Sequence, residues 1–462
     1  MVITRLTIEG LRGFASEQSL DLATPTGERG SGLTMIIGPN NGGKSTIVEA
    51  FRALFSREAP SFSLGKRNRE AASVVRIKAH LDGGIEYGLS TEPSEGSESD
   101  WFGIENRAGR PWGVVLPSRR YFRPYFGRGK YDRRQYAQGG DPVAFRGSSI
   151  DYFSRRLFDA LDNRAGFDEI LSRVVSPTPQ WTIELSDAGQ YFLRFTAGGH
   201  THDSDGIGEG FVSLFFIVDA LRDMDEGEVL VVDEPELSLH PSLQRKLANV
   251  LADCASSRQI VYATHSPYFL NPEALAGGAQ LARAHKRDNN CGISQLGRES
   301  RERLTKLLGD MNNPHAFGLA AREAFFMSDR IVLVEGQEDV LCYRAFQEQV
   351  GISLEAELFG WGVGGASKME FVAGALQDLG FQHVAGILDS NKASIAEKLR
   401  KEFPAFDFHV IPADDVRSKG ATPEKPGVMG LADQSGNLTA EHHQVVAQLF
   451  TSINEYMQRP ID

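Results

Sequence analysis

One stretch restricts the possible folds more than any other: Gly38-Pro39-Asn40-Asn41-Gly42-Gly43-Lys44-Ser45, which fits GxxxxGK[ST] at every fixed position. An apolar run, LTMIIG, leads into it. STIVEAFRALF follows, with Ile47, Val48, Phe51, Leu54 and Phe55 on one helical face. The pattern predicts a buried strand, a glycine loop and a helix. In such a loop the glycines let the backbone wrap with its N–H groups pointing at phosphate oxygens, and the helix N-terminus adds partial positive charge. Gly38 to Thr46 are therefore the expected cradle for ATP, with Lys44 reaching the β- and γ-phosphates and Ser45 ligating Mg²⁺. A chance glycine turn has no reason to sit between a strand and a helix.

Four apolar residues, VLVV, precede Asp233-Glu234, so two acids emerge at the carboxyl end of a buried strand, where open α/β sheets bind ligands. Paired surface acids are the bland alternative. In the functional reading Asp233 holds Mg²⁺ and Glu234 orients or deprotonates the attacking water, because phosphoryl transfer needs positioning and charge neutralisation. Another apolar run, QIVYAT, ends at His265, which can hydrogen-bond the γ-phosphate and so tell ATP from ADP. The set GPNNGGKST, VVDEPELSLHP and ATHSP resembles the nucleotide-binding domains of the ABC ATPase class, in the branch shared by recombination-type ATPases and the overcoming-lysogenisation-defect (OLD) family. The resemblance covers about residues 1–285. It implies a Ser/Gly motif at a helix N-terminus that caps the ATP of a partner subunit. Ser204-Asp205-Gly206-Ile207-Gly208-Glu209-Gly210 stands in that place without being LSGGQ, with Ser204, Gly206 and Gly208 as the contacts. Chains would then sandwich ATP as a homodimer or higher oligomer. Gln135 and Gln138 are the nearest glutamines to a Q-loop, and neither is fixed as one.

The C-terminal third repeats the logic with acids alone. IVLVEG ends an apolar strand at Glu335-Gly336, Asp339 follows on the next helix, and VAGIL ends at Asp389. Acids at the ends of neighbouring parallel strands suit a hard cation such as Mg²⁺. VEGxxD, a glycine-rich loop and an acidic strand end resemble a Toprim domain, and an ABC-type ATPase followed by Toprim is the architecture of OLD-family nucleases. By that resemblance Glu335, Asp339 and Asp389 are catalytic, Glu335, Asp389 and Asn391 hold metal, and Lys419 neutralises a scissile phosphate. Asn391 departs from the family's second aspartate and brings no charge, so Mn²⁺ becomes an alternative metal and Asp414 and Asp415 potential compensation. The fold expected is α/β, an ABC-type P-loop ATPase domain with a mainly parallel sheet plus a smaller Toprim-like α/β domain. Residues 1–285 form the ABC/SMC-like AAA ATPase domain, 286–327 a helical linker and 328–462 the Toprim-like domain.

The remaining composition narrows the partners. At about 150 residues per domain, 462 residues make two or three domains. No apolar stretch approaches the roughly 18 residues of a membrane span, and no signal-peptide pattern opens the chain, so a cytoplasmic, membrane-free protein is expected. Cys254, Cys291 and Cys342 lack CxxC spacing and read as core thiols. A net charge of −12 argues against a surface coated for nucleic acid, yet Arg119 to Arg134 carries seven basic residues interleaved with Tyr and Phe. That composition suits DNA phosphates and bases. It suits equally a solvated loop, or arginines that serve the nucleotide site or a dimer partner. The reading that follows is an ATP-regulated, Mg²⁺-dependent DNA endonuclease in anti-phage defence, with a partner defence protein among its contacts. Its rivals are an ATPase sensor or scaffold with a degenerate Toprim domain and a repair ATPase that clamps DNA.

Overall fold

Strand β1 (Leu33–Ile37) is buried at all five residues, as the continuous apolar run demands of a strand covered on both faces. It feeds the glycine loop and helix α1 (Lys44–Leu54). The chain then builds β2 (Gly113–Leu116), α2 (Glu209–Arg222), β3 (Val229–Asp233), α3 (Pro241–Cys254), β4 (Gln259–Ala263), β5 (Gln280–Arg287) and β6 (Asn290–Gln295). These strands form one sheet in the order β6-β5-β1-β4-β3-β2. Strands β2, β3, β4, β1 and β5 run parallel, so their carboxyl ends lie on one edge. The computed structural model describes all residues except 64, 69–73, 93–95, 105, 119, 121–126, 131–152, 198, 204–207, 226, 289, 311–312, 327–328, 422–425 and 461–462.

Helix α1 lies between this sheet and a second, antiparallel one of five strands, ordered Gln18–Asp21, Ile3–Glu9, Arg76–Leu81, Glu86–Thr91 and Ser99–Phe102. Ile47, Val48, Phe51 and Leu54 fill the gap with Ile3, Leu6 and Ile8, so the predicted helical face is the core of this unit. Buried Gln259 ties the layers together, its amide bonding both the N–H and the carbonyl of Ile3 at 2.9 and 2.8 Å. Around α2 pack Ser154–Asp162, Arg164–Val174 and the antiparallel sheet of Gln180–Leu185, Tyr191–Ala197 and His200–Asp203. Phe167, Trp181 and Phe215 meet there at centroid distances of 4.8 to 5.4 Å.

The chain divides into Met1–Ile293 and Ser294–Asp462. The segment 286–327, expected as a linker, is therefore split. Its first residues complete β5 and β6, and Arg298–Thr305, Asn313–Phe317 and Leu319–Ala324 fall in the second unit. That unit contains β7 (Arg330–Leu333), α4 (Gln337–Val350), β8 (Glu357–Leu358), α5 (Ala366–Asp378), β9 (His383–Leu388), β10 (Asp407–Val410) and α6 (His443–Met457). The sheet is all parallel in the order β8-β7-β9-β10. Tyr343 and Phe346 of α4 pack with Val446, Phe450 and Ile453 of α6 in its core. Among the described residues no helix is long and apolar enough to cross a membrane.

One ionic cluster in the first unit is structural. Arg156, 1% exposed, bonds Asp219 at 3.0 Å and Asp223 at 2.8 Å, while Arg222 bonds Asp159 at 2.7 Å. Removing one partner of a buried ion pair leaves the other desolvated and uncompensated. Arg156→Ala is expected to lower unfolding free energy by about 3–5 kcal/mol. Guanidinium denaturation with and without the substitution measures it, and a change under about 1 kcal/mol would place the cluster among ordinary surface pairs.

Candidate functional site

The phosphate loop is shaped by contact with β5. A Cβ on Gly38 would stand 2.0 Å from the Ala284 carbonyl oxygen, and one on Gly42 2.5 Å from it. Gly38 (φ 133°) and Gly43 (φ 105°) also occupy the left-handed region, so both sterics and conformation require glycine. A cavity of about 540 Å³ opens on this loop, lined by Asn40 to Thr46, Glu234 and His265 together with Gly13, Lys286 and Cys291. Lys44 Nζ donates to the carbonyls of Gly38 and Pro39 at 2.7 and 2.8 Å. Burial pushes its pKa down to about 8, against the pull of Asp233, Glu234 and Glu236. The last three lining residues were not anticipated. Cys291, expected only as a core thiol, borders the cavity, Cys342 is buried and Cys254 is half-buried.

Asp233 ends β3 and is 5% exposed, and Glu234 follows at φ 50° with its N–H bonded to the Ala263 carbonyl at 2.8 Å. Because β3 and β4 are parallel neighbours, His265 emerges beside it, its Nε2 3.8 Å from the Glu234 carboxylate. Burial first, and Lys44 second, hold the imidazole below its ordinary pKa although Glu234 opposes them. A neutral ring retains one N–H donor. Glu236, unassigned by the sequence reading, orders this edge. Its carboxylate accepts from the His265 N–H at 2.6 Å and from Thr264 Oγ1 at 2.8 Å. Burial nevertheless raises its pKa.

Of the Ser/Gly motif, Ser204 and Gly206 lie outside the described residues, as do Gln135 and Gln138. Gly208 is the N-cap of α2. Gly210 lies so close to the loop after Glu234 that a Cβ would be 2.1 Å from the Ser238 carbonyl oxygen. The basic stretch divides. Arg120 is buried and bonds backbone carbonyls of Pro117, Asp233 and Glu234, which ties it to the acidic strand end. Lys130 pairs with Asp162 at 2.5 Å. Arg119, Arg123, Arg133 and Arg134 lie outside the described residues.

In the second unit Glu335 follows β7, Asp339 stands in the first turn of α4 and Asp389 follows β9. Asp339 caps its helix by accepting the Gly336 N–H at 2.7 Å, and Glu335 accepts the Asp389 N–H at 3.2 Å. Burial, then repulsion from Glu335 and Asp415, raises Asp339 to about 6. Burial, then Glu335, Asp339 and Asp415, raises Asp389 to about 8, with Lys419 opposing. Asp415 therefore belongs to the cluster. Lys419 pairs with Asp415 at 2.5 Å and with Glu338 at 2.9 Å. The Asn391 amide donates to the Asp414 carbonyl at 2.9 Å. Among the described residues no three His, Cys, Asp or Glu side chains are grouped so that they could hold a metal ion. The all-oxygen donor set is nonetheless the chemistry a hard divalent ion takes, and a cation would relieve the repulsion.

Comparison with known proteins agrees with the first unit. A family described as an AAA domain, with AbiEii toxin and type IV TA system in its description, matches residues 117–271, and a second AAA domain family matches residues 5–98. The OLD nuclease of Thermus scotoductus is 27% identical over 216 residues, which are 46% of this chain and 40% of that protein. Septu protein PtuA of Bacillus thuringiensis is 24% identical over 312 residues, 60% of this chain and 74% of that protein. The Smc head domain derived from Pyrococcus furiosus is 13% identical at a TM-score of 0.44, covering 66% of this chain and 99% of that one, too remote to carry an argument. The phosphate loop, the acidic strand end beside it and the AAA-domain matches together make the first unit a P-loop ATPase domain, similar in sequence to part of an OLD nuclease.

Proposed function

We propose that the chain is an ATP-regulated, divalent-metal-dependent DNA endonuclease, with ATP bound in the first unit and cleavage carried by the second. The observation that carries the proposal is the cluster of Glu335, Asp339, Asp389 and Asp415 at the carboxyl edge of a parallel sheet, mutually repelling and opposed by Lys419. Purely structural acids are usually paired; unbalanced ones mark sites that bind or react. The match to an OLD nuclease supports the reading, although it spans only 40% of that protein's length. A role in anti-phage defence, a homodimer or higher oligomer closing on ATP, a partner defence protein and a cytoplasmic location belong to the same proposal.

In the ATPase unit, Gly38 to Thr46 would cradle the phosphates, and Lys44 would exchange its loop carbonyls for phosphate oxygens. Ser45 and Asp233 would hold Mg²⁺, which neutralises phosphate charge when bound. Glu234 would orient the attacking water and His265 would donate to the γ-phosphate. Ser204, Gly206 and Gly208 would meet ATP across the dimer. In the second unit Glu335, Asp389 and the Asn391 carbonyl would hold Mg²⁺ or Mn²⁺, which acts as a Lewis acid on a phosphodiester. Asp339 holds the turn after Glu335 through the Gly336 N–H, and Lys419 would shift from its carboxylates toward the DNA backbone.

Lys44→Ala is expected to abolish nucleotide binding, and Glu234→Gln to retain ATP while turnover falls about 100-fold or more. Nucleotide-binding and phosphate-release assays check both, and normal turnover in either variant would remove its residue from the mechanism.

Incubation with supercoiled DNA, Mg²⁺ or Mn²⁺, with and without ATP, tests the nuclease. Nicking by the wild type that Glu335→Ala abolishes while ATP hydrolysis persists is the expected result. Asn391→Asp is expected to raise Mg²⁺-dependent nicking by adding a charged ligand. Wild type and Asn391→Asp both inert with either metal would instead favour the sensor or scaffold reading.

A further inference from the structure

Arg120 is 4% exposed and spreads its guanidinium over three separate pieces of the ATPase unit. Nη1 donates to the carbonyls of Pro117, just beyond β2, and Asp233, at the end of β3, both at 2.7 Å. Nη2 donates to the Glu234 carbonyl and Nε to Ser213 Oγ of α2, again at 2.7 Å. The rigid planar fork of arginine allows these four bonds at once, whereas lysine has a single nitrogen. A buried cation held by carbonyls and a hydroxyl is costly unless acids stand near, and Asp233, Glu234 and Glu236 supply that field.

The residue so gripped is strained. Glu234 has φ 50°, a region that non-glycine side chains rarely occupy. Its N–H is fixed by Ala263 and its carbonyl by Arg120, so the backbone on both sides of the carboxylate is clamped. The fourth bond leads elsewhere. Ser213 lies one turn into α2, the helix capped by Gly208, and Gly210 of the same helix presses on the Ser238 carbonyl in the loop after Glu234. Helix α2 and the acidic strand end thus share one guanidinium.

We propose that Arg120 is a positioning residue for ATP hydrolysis: it holds the Glu234 backbone so that the carboxylate faces His265 and the phosphate loop, and through Ser213 it makes that geometry depend on the placement of α2. A displacement of α2 at Gly208 would pull on Arg120 and so on Glu234. The proposal rests on Glu234 being the hydrolytic carboxylate.

The test uses the full chain with Arg120→Lys and Ser213→Ala, each alone and combined with Glu234→Gln. Steady-state ATP hydrolysis, affinity for a fluorescent ATP analogue and thermal melting are read on each. Arg120→Lys is expected to lower kcat about tenfold or more, since misplacement of a catalytic group near 1 Å costs up to about 100-fold. Nucleotide affinity should stay within about twofold, a loss confined to the transition state. Ser213→Ala should lower kcat by less, with unchanged affinity, and it tests the α2 connection even where Arg120→Lys fails to fold. In the Glu234→Gln background neither substitution should reduce residual turnover further, because groups acting as one unit are not additive. Full kcat in Ser213→Ala and Arg120→Lys overturns the proposal. So does a fall in kcat matched by equal falls in affinity and melting temperature, which marks a merely structural arginine. Normal turnover in Glu234→Gln alone would instead remove the underlying assignment of Glu234, a separate result.

Discussion

The nucleotide site depends on a backbone-to-backbone contact, the phosphate loop lying flat on β5. Gly38 and Gly42 approach the Ala284 carbonyl so closely that no side chain fits, and Gly43 faces Phe14 and Cys291 at distances a Cβ would violate. Strand β5 is in parallel register with β1, Arg283 opposite Ile37, so the sheet itself sets where the loop may rest. With the loop fixed against β5 on one side of β1, the strand ends on its other side arrive on the same edge: His265 after β4, the next strand, and Asp233 with Glu234 at β3 beyond it. Phosphate binding by N–H dipoles needs this preorganisation, because dipoles that must reorient lose most of their value.

Charge at that edge is managed by donors. Lys44, Arg120 and His265 stand opposite Asp233, Glu234 and Glu236; burial shifts the three bases toward their neutral forms, and the nearby acids oppose it. Glu236 spends its carboxylate on the His265 N–H and Thr264 hydroxyl, which turns the DEPE segment into a brace for the strand end that follows β4. The third carboxylate of the motif, Glu236, is therefore architectural, and the second, Glu234, lines the cavity.

The sequence made the strands and helices of both units legible because their periods are local. LTMII, VLVVD and QIVYA are continuous apolar runs and became the buried parallel strands. The phosphate loop, Asp233, Glu234 and His265 were legible for the same reason, each being attached to such a run. What escaped were pairings across the chain. Glu236 meets His265 at a separation of 29 residues, Arg120 meets Asp233 at 113 and Cys291 meets Asn41 at 250. No periodicity encodes such contacts, and for an arginine within a basic run the sequence leaves a DNA contact, a solvated loop and a nucleotide-site role side by side. The chain spacing also hid the division of 286–327, where a polar, helix-prone stretch belongs partly to each unit.

Two of the ionic clusters among the described residues differ in a way that bears on function. Around Arg156 and Arg222, Asp159, Asp219 and Asp223 find guanidinium partners at 2.7 to 3.3 Å, and the set is close to neutral. Glu335, Asp339, Asp389 and Asp415 stand near Lys419, which divides itself between Asp415 and Glu338, while Arg417 pairs with Glu338, so the acids still outnumber the bases. A cluster retained for stability would shed an acid or gain a base, because each unbalanced charge disfavours the folded chain by repulsion and desolvation. Conflicts of this kind between local and global preference gather at sites that do chemistry. In the proposed metal-binding role a divalent cation would relieve the conflict with the groups already present, since carboxylate oxygen is its preferred donor. Asn391 limits that proposal: its neutral carbonyl leaves the second strand end with Asp389 as its one charge, so a site there would hold one ion more firmly than two.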